Sequence, residues 1–278
     1  SEMTDGYLRD WLINPKEITD KSLVLTFNNL IGQTKLVSII GEILTKLEKA
    51  WGQPVDIEFT AHVDNDKIKV NLLQCRTLRV PVLGEQPAGL LARLPKEQVL
   101  FRSSRAINAG VVNDIGYIVY IDPRKYAEAP MDVKKSLGRM IGRINGCLSD
   151  KKCKVLMMGP GRWGSNNIEL GVNVGYADIA GTAILAEVAF EKAGHTPEVS
   201  FGTHFFQDLV ESNILYLPVY PDEAGSDFNH DFFNRSPNAL TALLPELEQY
   251  EDIIQVIDVP QTAGGATAKV VADLQTRH

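Results

Sequence analysis

Asp56 and Glu58 stand two positions apart in the run Asp-Ile-Glu-Phe, and Gln74 and Arg76 close a second run, Leu-Leu-Gln-Cys-Arg. In an extended strand, residues two apart share a face, so the two carboxylates point one way while Ile57 and Phe59 point the other. Carboxylates so placed can share a hard cation such as Mg²⁺. A nearby arginine can hold a phosphate through a two-pronged hydrogen bond. Physics alone makes this stretch a candidate site for Mg²⁺ and a nucleotide. The same alternation also describes an amphipathic hairpin with solvated acids, and pattern alone leaves both readings open.

A second stretch with chemical content is Gly159-Pro160-Gly161-Arg162-Trp163-Gly164-Ser165, which follows the strand-like run Lys154 to Met158. Glycines let successive backbone N–H groups turn toward one point, and such a nest binds phosphate or carboxylate. Arg162 adds charge and Ser165 a hydroxyl. The spacing satisfies G-x-G-x-x-G, but a dinucleotide loop opens a helix, whereas strand-like Leu170 to Tyr176 follows here. Pro160 also removes a donor. The dinucleotide reading is therefore rejected. An anion nest and a tight turn with Trp163 packed on the core both remain. Further candidates are Ser103-Ser104-Arg105, a turn that can grip an anion or be plain surface, and Thr203-His204, where Thr203 caps a helix starting at His204.

The elements that must position these groups follow from periodicity. Apolar positions Leu36, Val37, Ile39, Ile40, Ile43, Leu44 and Leu47 recur at three- and four-residue steps, which predicts an amphipathic helix to about Ala50. Asp64-Asn65-Asp66 carries turn chemistry, so Val55 to Arg76 reads as a hairpin. Leu23 to Phe27 reads as a strand, and Trp11 to Ile13 as a short helix or loop. Gly84, Pro87, Gly89 and Pro95 mark a connector. Beyond it a second unit begins with Val99 to Arg102, and strands are expected at Ile115–Ile121, Lys154–Met158, Asn213–Tyr220 and Ile253–Val259. The apolar, alanine-rich run Asp178 to Glu191 reads as either a helix or a buried strand, and the alternation over Ile184 to Val188 favours the strand. Helices are expected at Met131–Leu148, from His204, across Asp227–Arg235 and at Leu240–Tyr250. On Met131–Leu148, Lys134, Lys135, Arg139 and Arg143 read as a solvated face. The fold class expected is α/β: an α+β piece over 1–83, a connector over 84–98, and a mixed-sheet α/β domain over 99–278.

The Asp-x-Glu strand, the hairpin and the Leu-Gln-x-Arg strand together resemble the end of the ATP-grasp nucleotide-binding domain of phosphoenolpyruvate synthase and pyruvate phosphate dikinase. Four polar positions and their spacing agree, over about the first 80 residues. The resemblance implies an ATP-dependent phosphotransferase with ATP and Mg²⁺ as cofactors. It implies that Asp56 and Glu58 serve the metal and the phosphates, with Gln74 and Arg76 beside the same site, and it makes Glu58 and Arg76 the catalytic candidates. It implies too that the lysine- and glycine-bearing parts of such a domain precede this chain, which is then a C-terminal fragment holding half a site. The Phe201-Gly202-Thr203-His204 run faintly resembles the family's phosphohistidine segment, but lacks its paired glycines and the small residues after the histidine. His204 is thus open as a phosphoryl carrier, a ligand contact or a structural residue. No phosphoenolpyruvate-binding barrel is recognisable, since one needs about 250 residues of its own.

Composition bounds the rest. Over 278 residues, 44% are hydrophobic and 23% charged, as in ordinary globular proteins. A net charge of −7 argues against a general nucleic-acid binder. Three cysteines without paired spacing indicate neither a disulfide framework nor a zinc site, which makes a reducing cytoplasm the expected compartment. No run reaches the eighteen apolar residues of a membrane span. The partners expected are a nucleotide or phosphate-bearing small molecule and the missing N-terminal half, with a homo-oligomer left open. From another class comes a second reading, in which residues 99–278 form a non-catalytic anion- or ligand-binding regulatory module at Gly159, Gly161, Arg162, Gly164, Ser165 and His204. A third is an interaction or dimerisation domain.

Overall fold

The structure, a computed structural model, describes residues 2–4, 7–9, 26–64, 67–77, 95–103, 105, 107, 110–191 and 198–272. The chain divides into two compact units, Ser1–Arg79 and Val80–His278. The expectations for Trp11 to Ile13, for most of Leu23 to Phe27, for the hairpin tip at Asn65-Asp66, for Ser104 and for most of the connector fall outside the described residues.

In the first unit, two three-residue strands, β1 (Glu2–Thr4) and β2 (Tyr7–Arg9), pair antiparallel. The helices α1 (Asn28–Gln33) and α2 (Leu36–Trp51) precede the hairpin β3 (Val55–Asp64) and β4 (Lys67–Thr77). Helix α2 ends where the sequence predicts, because Gly52 takes the left-handed conformation at φ 70° and returns its N–H to the Glu48 carbonyl. A register shift between Glu58 and Phe59 sets Phe59 opposite Leu72 and leaves Leu73 as the extra residue of a bulge.

The second unit is an α/β fold with a mixed six-stranded sheet. Its strands are β6 (Gly110–Ile121), β7 (Lys154–Pro160), β8 (Ile184–Val188), β9 (Leu215–Val219), β11 (Ile254–Asp258) and β12 (Ala268–Ala272). Strands β6 to β9 run parallel and lie side by side in chain order. Strands β11 and β12 pair antiparallel with β6 on the edge opposite β7. A two-stranded pair, β5 (Phe101–Arg102) with β10 (Asp227–Phe228), stands apart from this sheet.

The apolar runs of β6 to β9 are what a sheet covered on both faces requires. On one face Val119, Val155, Leu185 and Tyr216 pack with α4 (Met131–Ser149), α5 (Tyr176–Ile179) and α6 (His204–Glu211). On the other, Ile118, Leu156, Ala186 and Leu217 pack with Phe233 of α7 (His230–Arg235). The stop after β6 is chemical: Asp122 accepts from the N–H groups of Arg124 and Lys125, and Pro123 opens α3 (Pro123–Glu128).

Four expectations are corrected. Lys134 belongs to the buried side of α4, at 5% exposure, where its ammonium donates to the Ala127 carbonyl at 3.1 Å and faces the Glu169 carboxylate at 3.4 Å. The other three basic residues, Lys135, Arg139 and Arg143, are exposed as expected. Leu170 to Tyr176 is not a strand of the sheet. Its carbonyls pair with the preceding loop instead, Leu170 accepting from Arg162 N–H and Val172 from Gly164 N–H. The helix over Leu240–Tyr250 splits at Pro245 into α8 (Leu240–Leu243) and a 3₁₀ turn at Pro245–Tyr250, because a residue before proline avoids helical dihedrals. The helix over Asp227–Arg235 starts late, at His230, capped by the Asn229 side chain, since Asp227 and Phe228 are held as a strand against β5.

Candidate functional site

In the first unit the hairpin register sets Asp56 opposite Arg76 and Glu58 opposite Gln74. All four sequence-predicted groups are therefore cross-strand neighbours, with Cβ atoms about 5 Å apart by sheet geometry. Asp56, Gln74 and Arg76 are half-buried and Glu58 is exposed. With its carboxamide oxygen turned toward Arg76, Gln74 accepts from the guanidinium Nε and Nη2, the latter at 2.6 Å. Among the described residues no group of three or more His, Cys, Asp or Glu side chains could hold a metal ion. Two carboxylates alone match the way Mg²⁺ is held beside phosphates, with the phosphates and waters completing the shell.

In the second unit the carboxyl ends of β7, β8 and β9 meet along one edge, the place where parallel α/β sheets take ligands. The glycine loop lies here, but it is not an anion nest. Gly161 N–H donates to the Val188 carbonyl at 3.0 Å, Arg162 N–H to Leu170 at 2.7 Å and Gly164 N–H to Val172 at 3.1 Å. Trp163 N–H goes to the Glu187 carboxylate at 2.7 Å. The donors that a phosphate needs are thus spent on the protein itself. Glycine is required for close approach: at Gly161, with φ 60°, a Cβ would meet the Leu170 carbonyl oxygen at 1.9 Å. Gly159 likewise abuts the Trp163 ring. Trp163 is buried at 1% exposure, which is the tight-turn alternative. Ser165 accepts from Asn167 N–H in a local turn.

Arg162 is the member of the loop that reaches a cleft, of about 390 Å³, lined also by Arg105, Glu198, Phe201, Thr203 and Tyr220. Arg162 Nη1 donates to Glu198 at 3.0 Å. The guanidinium of Arg105 lies 4.4 Å from the centre of the Tyr220 ring and donates through Nε to Glu223 at 3.0 Å, with Nη2 on the same carboxylate. Burial pushes the Tyr220 phenol up, against the lowering effect of Arg105. Thr203 caps α6 as the sequence predicts, accepting from Phe206 N–H. His204 is the exposed first residue of that helix and is not among the cleft-lining residues.

The sequence reading missed Glu187. It sits on β8 with no solvent exposure. Its Oε1 accepts from Trp163 N–H at 2.7 Å and its Oε2 from Ser200 N–H at 2.5 Å and Tyr216 O–H at 2.7 Å. The Ser200 hydroxyl lies 2.6 Å from Oε1 and 2.8 Å from the Trp163 carbonyl. One hydroxyl proton cannot serve two acceptors. The Ser200 hydroxyl therefore donates to one of the two at a time. Burial pushes the Glu187 carboxyl up, opposed by its donors. Burial and the Glu187 carboxyl raise Tyr216, keeping it a donor. One carboxyl thus ties the loop bearing Arg162 to the segment bearing Glu198 and Phe201, and fixes two walls of the cleft. The signal lay in Ile-Leu-Ala-Glu-Val, where a single acid interrupts a run that both faces of the sheet bury.

Comparison of the chain with protein-family models, curated proteins and solved structures returns no match.

Proposed function

We propose that this chain belongs to an ATP-dependent phosphotransferase similar to phosphoenolpyruvate synthase and pyruvate phosphate dikinase. The observation that carries this reading is the register of the hairpin, which sets Asp56 against Arg76 and Glu58 against Gln74. Asp56 and Glu58 are the oxygen donors for Mg²⁺ of a bound Mg-ATP. The metal, when bound, supplies neutralisation of phosphate charge during phosphoryl transfer. Arg76, braced by Gln74, offers guanidinium donors to phosphate oxygens, and Glu58 completes the catalytic pair. The phosphoryl acceptor is left open, and a phosphohistidine at His204 is one candidate.

The test is Mg-ATP binding and phosphotransfer by the full-length protein. Asp56→Ala and Glu58→Ala should each lower phosphotransfer by about a hundredfold or more, the worth of one well-placed electrostatic group. Variants that keep both Mg-ATP affinity and turnover would remove the reading.

A second reading concerns the second unit alone, and the cleft carries it: two arginines converge where parallel strands end. On this reading the unit is a ligand-binding module for a small anion. Arg162→Ala then removes ligand affinity while leaving phosphotransfer intact.

A further inference from the structure

The two arginines of the cleft are held differently. Arg105, though 57% exposed, is clamped at three points, with its guanidinium over the Tyr220 ring and two of its nitrogens on Glu223. Among the described residues Arg162 is held by one side-chain partner. Its Nη1 donates to a Glu198 side chain that is 70% exposed, while Arg162 itself is 33% exposed. An exposed pair of this kind is weakly held, because two long side chains lose rotamer freedom for a Coulomb gain that water screens. The rest of the Arg162 fork matches a carboxylate or phosphate oxygen pair. Val199 and the exposed Phe201 ring give the same cleft an apolar wall.

Resting on the anion-module reading of this cleft, we infer that Glu198 is an internal competitor. It occupies Arg162 in the ligand-free protein, and a small oxyanion ligand with an apolar body displaces it. The ligand class is a phosphate monoester or a carboxylate. Its head takes the Arg162 fork beside the clamped Arg105, and its body lies on Val199 and Phe201. Glu187 takes no part in contact with it, but holds both walls through Trp163 and Ser200.

Calorimetric titration of the full chain with phenyl phosphate, benzoate and inorganic phosphate tests this. Phenyl phosphate and benzoate separate the two head groups, and inorganic phosphate lacks the apolar body. Phenyl phosphate or benzoate should bind more tightly than inorganic phosphate, and Arg162→Met should weaken that binding tenfold or more. Glu198→Gln should strengthen it roughly two- to fivefold, the worth of the exposed pair it removes. Binding detectable in Glu198→Gln but not in the wild-type chain would also support the competitor. If binding is lost in Arg162→Met yet unchanged or weaker in Glu198→Gln, the competitor is overturned and the cleft reading stands. If none of the three probes binds either protein, the cleft reading falls and the competitor with it. Equal circular dichroism and melting temperature across the variants exclude misfolding as the cause of a loss.

Discussion

Replacing Glu187 by alanine removes the acceptor for Trp163 N–H, Ser200 N–H and Tyr216 O–H at once, all inside the protein. The Ser200 hydroxyl keeps a partner in the Trp163 carbonyl. Each orphaned buried donor costs about 1–3 kcal/mol. Releasing a buried carboxyl, and water entering the gap, offset part of that. The net expected is about 3–5 kcal/mol, the cost of the three orphaned donors less that offset. For a unit of this size that lowers the melting temperature by roughly 10 °C. Tyr216→Phe should cost only about 1 kcal/mol, since Oε2 keeps the Ser200 N–H. Urea denaturation of both single variants and the double variant measures this, and coupling between the sites should exceed about 0.5 kcal/mol. Hydrogen exchange should quicken in 161–164 and 198–203 in Glu187→Ala ahead of the rest of the sheet. A Glu187→Ala chain within about 0.5 kcal/mol of wild type would refute the view that this carboxyl ties the cleft together.

Further tests address single features. The raised Glu187 carboxyl means that the folded state holds its proton more tightly than the unfolded chain, so its stabilising contribution is complete below about pH 4.5 and is lost as pH rises through the folded-state value. Wild type should therefore lead the non-titrating Glu187→Gln variant by more at pH 4.5 than at pH 8, and a lead that grows with pH would contradict a raised Glu187 carboxyl. Gly164→Ala places a Cβ 2.6 Å from the Phe205 ring at φ 70° and should cost about 1–3 kcal/mol in thermal unfolding, a neutral result removing the close-approach argument. Lys134→Ala should cost about 1–2 kcal/mol by chemical denaturation through its lost packing and its bond to the Ala127 carbonyl. Glu169→Ala should stay within about 0.5 kcal/mol, because Glu169 is 57% exposed and an exposed partner contributes little. Equal losses for that pair would make the ion pair, not burial, the reason Lys134 lies inside.

Local signals determined the elements of this protein. The three- and four-residue steps of α2 and α4, the apolar runs of β6, β7 and β9, and the Thr203 and Asp122 caps depend on residues adjacent in the chain, and each stands where its pattern puts it. The hairpin too was legible from its turn residues and flanking strands, but the pairing of Asp56 with Arg76 was not, because the bulge at Leu73 shifts the register by one residue between the turn and that pair. Tertiary structure decided everything that turns on long-range partners. Gly159 to Ser165 has the composition of an anion nest, yet its N–H groups are consumed by Val188, Leu170, Val172 and Glu187, all distant enough that no local pattern reveals them. Leu170 to Tyr176 alternates like a strand but pairs with that loop. Lys134 lies on the buried side of its helix because Ala127 and Glu169 meet it there. Arg105 joins the cleft across more than a hundred residues, held by Glu223 and the Tyr220 ring. Sequence periodicity tells which side of an element is apolar. Which polar groups remain available to a ligand is set by the donors and acceptors that folding has already paired, and only the folded chain brings those together.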